Sequence, residues 1–283
     1  MTNAQNHIFL SALQWHLAAG ADETFEDTPV DRTRLKSISP EGRGQGEGDQ
    51  VLPPVQHPFE NSPFSASPPE ADRDLVGMSE WRIKAQTLVD ACTTLDELKA
   101  AIAAFDGIPL RKTATQIVFA DGNPHAAVMV IGEAPGADED RMGLPFVGVS
   151  GQLLDKILKS IDLDRKAENP ANAVYISNIL NWRPPGNRTP SPAEVEVSLP
   201  FIRRHIQLVA PKVIILSGAV SAKALLGSGD SISRLRGKFH DVMGIPAIAT
   251  YHPSYLLRTP SQKRAVWADM LMLKARLREM GLL

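Results

Sequence analysis

Four apolar runs of strand length punctuate the second half of the chain: AAVMVIG (126–132), AVYISNIL (173–180), KVIILSG (212–218) and PAIATY (246–251). Between them, apolar residues return every three or four positions in SGQLLDKILKSIDL (150–163), SPAEVEVSLPFIRRHIQLVA (191–210) and AVSAKALLG (219–227). That spacing predicts helices. Ser191-Pro192-Ala193-Glu194 has the capping-box spacing, with proline at the first helical position. A helical region over 79–105 precedes the first strand, and a closing helix over 260–280 follows the last. Runs that are apolar at nearly every position, rather than every second one, predict strands covered on both faces. The expected fold is α/β: a three-layer α/β/α sandwich around a short, mainly parallel four-stranded sheet.

The N-terminal part reads differently. Ile8, Leu10, Leu13, Trp15, Leu17 and Ala18 fall at near-helical spacing, with Gly20 as a stop, so residues 1–23 predict a short amphipathic helix. From 24 to 77, proline, glycine, serine and acidic residues dominate and no periodicity survives. Such a stretch buries too little surface to offset its ordering entropy, and a disordered linker is expected. The division expected is thus 1–23 helix, 24–77 linker and 78–283 catalytic domain.

Composition narrows the class. The single cysteine, Cys92, excludes an internal disulfide framework and a multi-cysteine metal site. No apolar run is long enough to span a membrane, and MTNAQNHIFL lacks the pattern of a secretory leader, so a cytoplasmic location is expected. The net charge of −2 hides an asymmetry: residues 1–77 hold only 5 of the 30 basic side chains but 12 of the 32 acidic ones. The remainder is therefore basic, which suits a polyanion-facing domain with an acidic tail.

Ligands of parallel sheets collect at the carboxyl ends of the strands, which directs attention to four loops. GEAPGADEDRMGLPFVG (132–148) matches neither a dinucleotide fingerprint nor a phosphate-binding P-loop, but it gathers Glu133, Asp138, Glu139 and Asp140 before Phe146. Taken alone it reads as a solvated acidic loop. The second strand places Asn178, a poor strand former, near its end and leads into RPPGNR with Arg183, Asn187 and Arg188. SGAVSAKALL follows the third strand as a small-residue turn, and HPSYLLR (252–258) follows the fourth. By itself His252 reads as a hydrogen-bonded structural histidine.

Together, GEAPGADEDRMGLPFVGVSGQLLD, VYISNILNWRPPGNR and HPSYLLR, in this order, resemble the family-4 uracil-DNA glycosylases over residues 85–280. The resemblance implies hydrolysis of the bond between uracil and deoxyribose, on a nucleotide extruded from the duplex. It implies that Phe146 stacks on the flipped base and that Asn178 reads uracil, donating to O4 and accepting from N3–H. Ala134 and Asn187 would complete the substrate contacts, Asn187 also as a minor candidate for positioning water. His252 would donate a hydrogen bond to the oxyanion developing at O2, which a neutral imidazole can do. Leu256 would be the wedge that fills the vacated stack. Ser254, on a turn stiffened by Pro253, would hold a phosphate, with Arg183, Arg188 and Arg258 also facing DNA.

A carboxylate must orient water and favour the cationic sugar. Family 1 uses an aspartate where this chain has Ala134, a departure usual in family 4, so Glu133, Glu139 and Asp140 stand as alternatives. Family-4 members hold an iron–sulfur cluster on four cysteines. Here Trp182 and Ser198 stand at two of those positions and FDGIPLRKTATQIVFADG, at the other pair, has no cysteine. No cofactor or metal is therefore expected, and the chain resembles a cluster-less branch. It also lacks the basic, histidine-bearing insertion of relatives that link covalently to DNA, so turnover is expected. With no lysine in the matched motifs, no lyase step is expected. Expected partners are uracil-containing DNA and a repair protein bound through the acidic tail, with the chain a monomer. Two other readings remain: a uracil-DNA sensor that does not hydrolyse, and a flavodoxin-like domain for a small phosphorylated ligand.

Overall fold

The computed structural model describes the backbone of residues 70–283 and side chains from residue 79; the predicted helix over 1–23 and the linker as far as 69 lie outside the described residues. The first described element, α1 (Glu70–Asp90), begins inside the stretch expected to be linker, so the domain boundary placed at 78 falls within a helix. The helical region predicted over 79–105 is two helices. Thr94 ends the break between them, its side chain capping α2 (Leu95–Ala104) while Glu97 reaches back to the cap backbone.

The four predicted strands are all present, within two residues of the apolar runs: β2 (Val128–Gly132), β3 (Val174–Asn178), β4 (Val213–Ser217) and β6 (Ile245–Thr250). They pair in parallel in the order β3-β2-β4-β6. The sheet has six strands rather than the expected four. β1 (Asp121–Gly122) and β5 (Phe239–Val242) add antiparallel edges, beside β3 and β6 respectively. β5 joins β6 through Met243 and Gly244, both at positive φ (57° and 82°), the backbone of a two-residue hairpin.

Alternate side chains of the central strands supply two cores. Met129, Ile131, Tyr175, Ile214, Leu216 and Ala249 face one apolar cluster, with residues of α1, α2 and α5 (Pro192–Val209). Val128, Val130, Val174, Ile176, Ile215 and Ile248 face the other, with α4 (Val149–Lys159) and α9 (Lys263–Glu279). Helices on both faces explain why polar alternation is absent from these strands. The predicted capping box opens α5: Glu194 N–H donates to Ser191 Oγ at 3.2 Å, and Ser191 N–H donates to Glu194 Oε2 at 2.7 Å. No helix among the described residues is long and apolar enough to cross a membrane.

Candidate active site

All four parallel strands deliver residues to one cleft at their carboxyl ends, a cavity of ≈ 450 Å³. Glu133 follows β2, Asn178 ends β3, Gly218 follows β4, and His252 stands two residues beyond β6. The segment after β2, which includes the short helix α3 (Ala137–Met142), adds Ala134, Glu139 and Phe146; the RPPGNR loop adds Asn187 and Arg188; Ser254 and Arg258 complete the lining. Thus ten residues expected at the site line one space.

His252 caps the short helix α8 (Pro253–Arg258). Its Nδ1 accepts the backbone N–H of Ser254 at 3.2 Å and lies 2.9 Å from Ser254 Oγ. An accepting Nδ1 leaves the proton of the neutral ring on Nε2. Burial, reinforced by the Arg258 charge and opposed by Glu139, lowers the His252 pKa to about 4. At neutral pH the site therefore holds an uncharged imidazole with an Nε2–H donor. The ring lies against Phe146, centroids 5.3 Å apart and planes 28° from parallel.

Phe146 sits in a left-handed backbone conformation, φ 54°, which is uncommon for an aromatic residue and needs support. Two anchors supply it. Glu139 accepts N–H groups from Val147 and Gly148 through Oε1, at 3.0 and 2.9 Å, and from Gly136 through Oε2 at 3.1 Å. Buried Arg165 donates to the Pro145 carbonyl at 3.0 Å, while Asp121 and Asp155 pair with it at 3.1 and 2.7 Å. Arg165 was invisible in the sequence because it lies twenty residues from the carbonyl it holds.

Three expected roles do not fit this geometry. Both oxygens of Glu139 accept backbone N–H groups, three in all, which ties it to the shape of the loop. Asp140 does not line the cavity. It accepts from Thr115 N–H and Oγ1 at 2.8 and 2.9 Å, with Arg183 Nη1 at 3.9 Å. Glu133 is then the carboxylate at the cavity wall without a hydrogen-bond partner among the described residues, and burial raises its pKa. The third is Leu256, which is fully buried in the core beside Pro253 and is not presented at the surface as a wedge would be. Its neighbour Leu257 is 45 % exposed. Pro253 and Leu256 are one helical turn apart, a spacing that signals a core-facing pair.

Asn178 is buried, and its amide has no hydrogen-bond partner among the described residues, which leaves it available to a ligand in the cleft. Asn187 accepts from Arg183 Nε at 2.7 Å. Arg188 is committed to Glu194 by two bonds of 2.8 and 2.6 Å, which leaves Arg258 as the exposed cleft cation without an ion-pair partner among the described residues.

The side chains do not fit an iron–sulfur cluster. Trp182 is buried in the apolar core, and Ser198 Oγ donates to Glu194 O at 2.7 Å. Cys92 Sγ donates to Leu88 O, and burial raises its pKa, which favours thiol over thiolate.

Residues 119–271 match the model of the uracil DNA glycosylase superfamily. The type-4 uracil-DNA glycosylase of Archaeoglobus fulgidus is 37% identical over 184 residues, covering 62% of this chain and 89% of that protein. The type-4 enzyme of Pyrobaculum aerophilum is 36% identical over 189 residues, 63% of this chain and 92% of its own length. That of Thermotoga maritima is 36% identical over 177 residues, 61% of this chain and 89% of its own. With this similarity spanning the cleft and nearly the whole of those relatives, the chain belongs to the uracil DNA glycosylase superfamily, beside its type-4 members.

Proposed function

We propose that this uracil-DNA glycosylase hydrolyses the N-glycosidic bond of a flipped deoxyuridine with His252, Asn178 and Glu133 as its reacting-site residues. The observation that carries this is their convergence, with Phe146, on one cleft at the ends of β2, β3 and β6. Asn178, with a free amide, supplies one donor and one acceptor to the uracil edge. Cytosine presents the opposite pattern and would leave buried groups unpaired, which is the strongest form of discrimination such a pocket has. Phe146 supplies the stacking surface, a contact worth about 1–3 kcal/mol.

Bond breaking leaves negative charge on uracil O2 and positive charge on the sugar. The neutral His252 meets the first through Nε2–H, as a fixed donor that needs no reorganisation. Glu133, ionised, orients water and favours the cation. Leu257 takes the wedge role, because it projects outward from α8 where Leu256 projects inward. Arg258 and Ser254 face the DNA backbone. We read the chain as a cluster-less relative because one cysteine cannot supply the thiolates of a cluster and Trp182 and Ser198 are taken up by the core and by the α5 backbone. We also read it as a monomer that leaves a free abasic product, with its acidic N-terminal residues serving a repair partner.

The test is an oligonucleotide carrying one U opposite G, scored for alkali-labile sites. Release by the purified chain without added metal is expected. Retained binding to that oligonucleotide without release would make the protein a uracil sensor instead.

A further inference from the structure

We infer that Thr250, Asp269 and Arg236 form a buried clamp that positions His252 for the reaction, although none of the three touches the cleft. This rests on the proposed role of His252. Asp269, on α9, has no exposed surface. Its Oδ2 accepts the Thr250 hydroxyl at 2.8 Å. Arg236, just after the short helix α7 (Ile232–Leu235), donates to both Asp269 oxygens, from Nε at 3.1 Å and from Nη2 at 2.8 Å. The same guanidinium donates to the Ala265 carbonyl and lies 5.4 Å from the Tyr251 ring centroid.

These contacts converge on the two residues before His252. The Thr250 carbonyl also accepts Gly218 N–H at 2.9 Å, and Tyr251 Oη lies 3.1 Å from Ser233 Oγ. The chain is thus held from β4, α7 and α9 as it leaves β6 and turns into the histidine. Gly218, at φ 102°, completes the seat: a Cβ there would stand 3.1 Å from His252 Cβ. A hydrogen-bond donor aimed at a developing oxyanion must be placed within a few tenths of an ångström, and side chains on a turn reach that precision only when the supporting backbone is fixed. A buried carboxylate bound by an arginine fork and a hydroxyl supplies that rigidity, since the fork constrains direction as well as distance. An apolar filler of the same volume would pack the space without fixing the torsions of residues 250 and 251.

The experiment is a double-mutant cycle on single-turnover uracil release. Asp269→Asn and Thr250→Val are each measured in the wild-type and His252→Ala backgrounds, with melting temperature recorded for all. A clamp that acts through His252 predicts a loss of about tenfold or more with His252 present and less than about twofold in its absence. KM for the uracil oligonucleotide should stay within about twofold of wild type, because Asn178 and Phe146 are untouched. Equal losses in both backgrounds, or no loss with His252 present, would overturn the clamp. Thr250→Val removes one hydroxyl and keeps the test decisive if Asp269→Asn does not fold. Should His252→Ala fall below detection, the kcat against KM split decides, and a rise in KM with unchanged kcat overturns the proposal. A fully active His252→Ala would instead refute the role of the histidine itself.

Discussion

Gly132 stands opposite Asn178 in the β2–β3 ladder, and a Cβ on Gly132 would lie 2.4 Å from Asn178 Oδ1 and 2.5 Å from Phe146 Cζ. The missing side chain of one strand is thus what lets Asn178 and Phe146, the proposed base reader and stacking ring, share the same floor. Gly132→Ala should force both to move. Overpacking at such a site costs about 1–3 kcal/mol, but the larger expected effect is on uracil release, a loss of roughly 10²-fold in kcat/KM, since 1 Å of misplacement has such consequences. Steady-state kinetics beside a thermal melt checks this.

Leu256 and Leu257 should separate cleanly. Leu256→Ala removes a fully buried side chain and should destabilise the fold by about 2–5 kcal/mol, read from urea denaturation. Leu257→Ala should leave stability within about 0.5 kcal/mol. It should slow release from duplex DNA by about tenfold and from single strands far less, because only a stack needs a wedge. The reverse pattern would restore Leu256 to the wedge.

The carboxylates of the first loop make distinct predictions. Glu139→Gln keeps one acceptor oxygen but puts an NH2 against backbone donors, so stability and activity should fall together. Glu133→Gln should lower kcat by about 10²-fold with little change in melting temperature. Burial raises the Glu133 pKa above its ordinary 4.5. As a base it works ionised, so wild-type activity should fall as pH drops through that raised value, and this limb should vanish in Glu133→Gln. A pH–rate profile of both proteins checks it.

Two histidines make the fold acid-sensitive. Burial lowers His205 to about 3, and His252 lies at about 4, both from an ordinary 6.5. Between 6.5 and those folded values the unfolded chain holds more protons, so stability falls as pH is lowered. Each histidine contributes at most about 1.4 kcal/mol per pH unit in that window. Denaturation at pH 7.5, 6.0 and 5.0 should show the loss, and His205→Gln, which replaces the partner of Tyr175 Oη, should reduce the slope.

The central sheet was legible because β2, β3, β4 and β6 are apolar at most positions, with polar residues confined to their carboxyl ends. The edges were not. Asp121–Gly122 is too short to carry a pattern, and Phe239–Val242 mixes polar and apolar residues because its pairing, not its burial, makes it a strand. Within the site, the linear motifs named loops that the fold brings together, and His252, Asn178 and Phe146 line one cleft. What spacing along the chain could not reveal was which oxygens the backbone consumes. Glu133, Glu139 and Asp140 are carboxylates of one short stretch, and the N–H groups of Gly136, Val147, Gly148 and Thr115 distinguish them. The wedge position rests on the motif resemblance, which carries no information on helical phase: residues 253–258 form a helix whose one-turn repeat turns Leu256 inward.

The most direct measurement is single-turnover release of uracil from an oligonucleotide with one U, comparing wild type with His252→Ala and Asn178→Ala at equal DNA occupancy. Release by wild type and a loss of about 10²-fold or more in each variant, with DNA binding retained, is the expected result. Wild-type rates in both variants would contradict this account of the cleft.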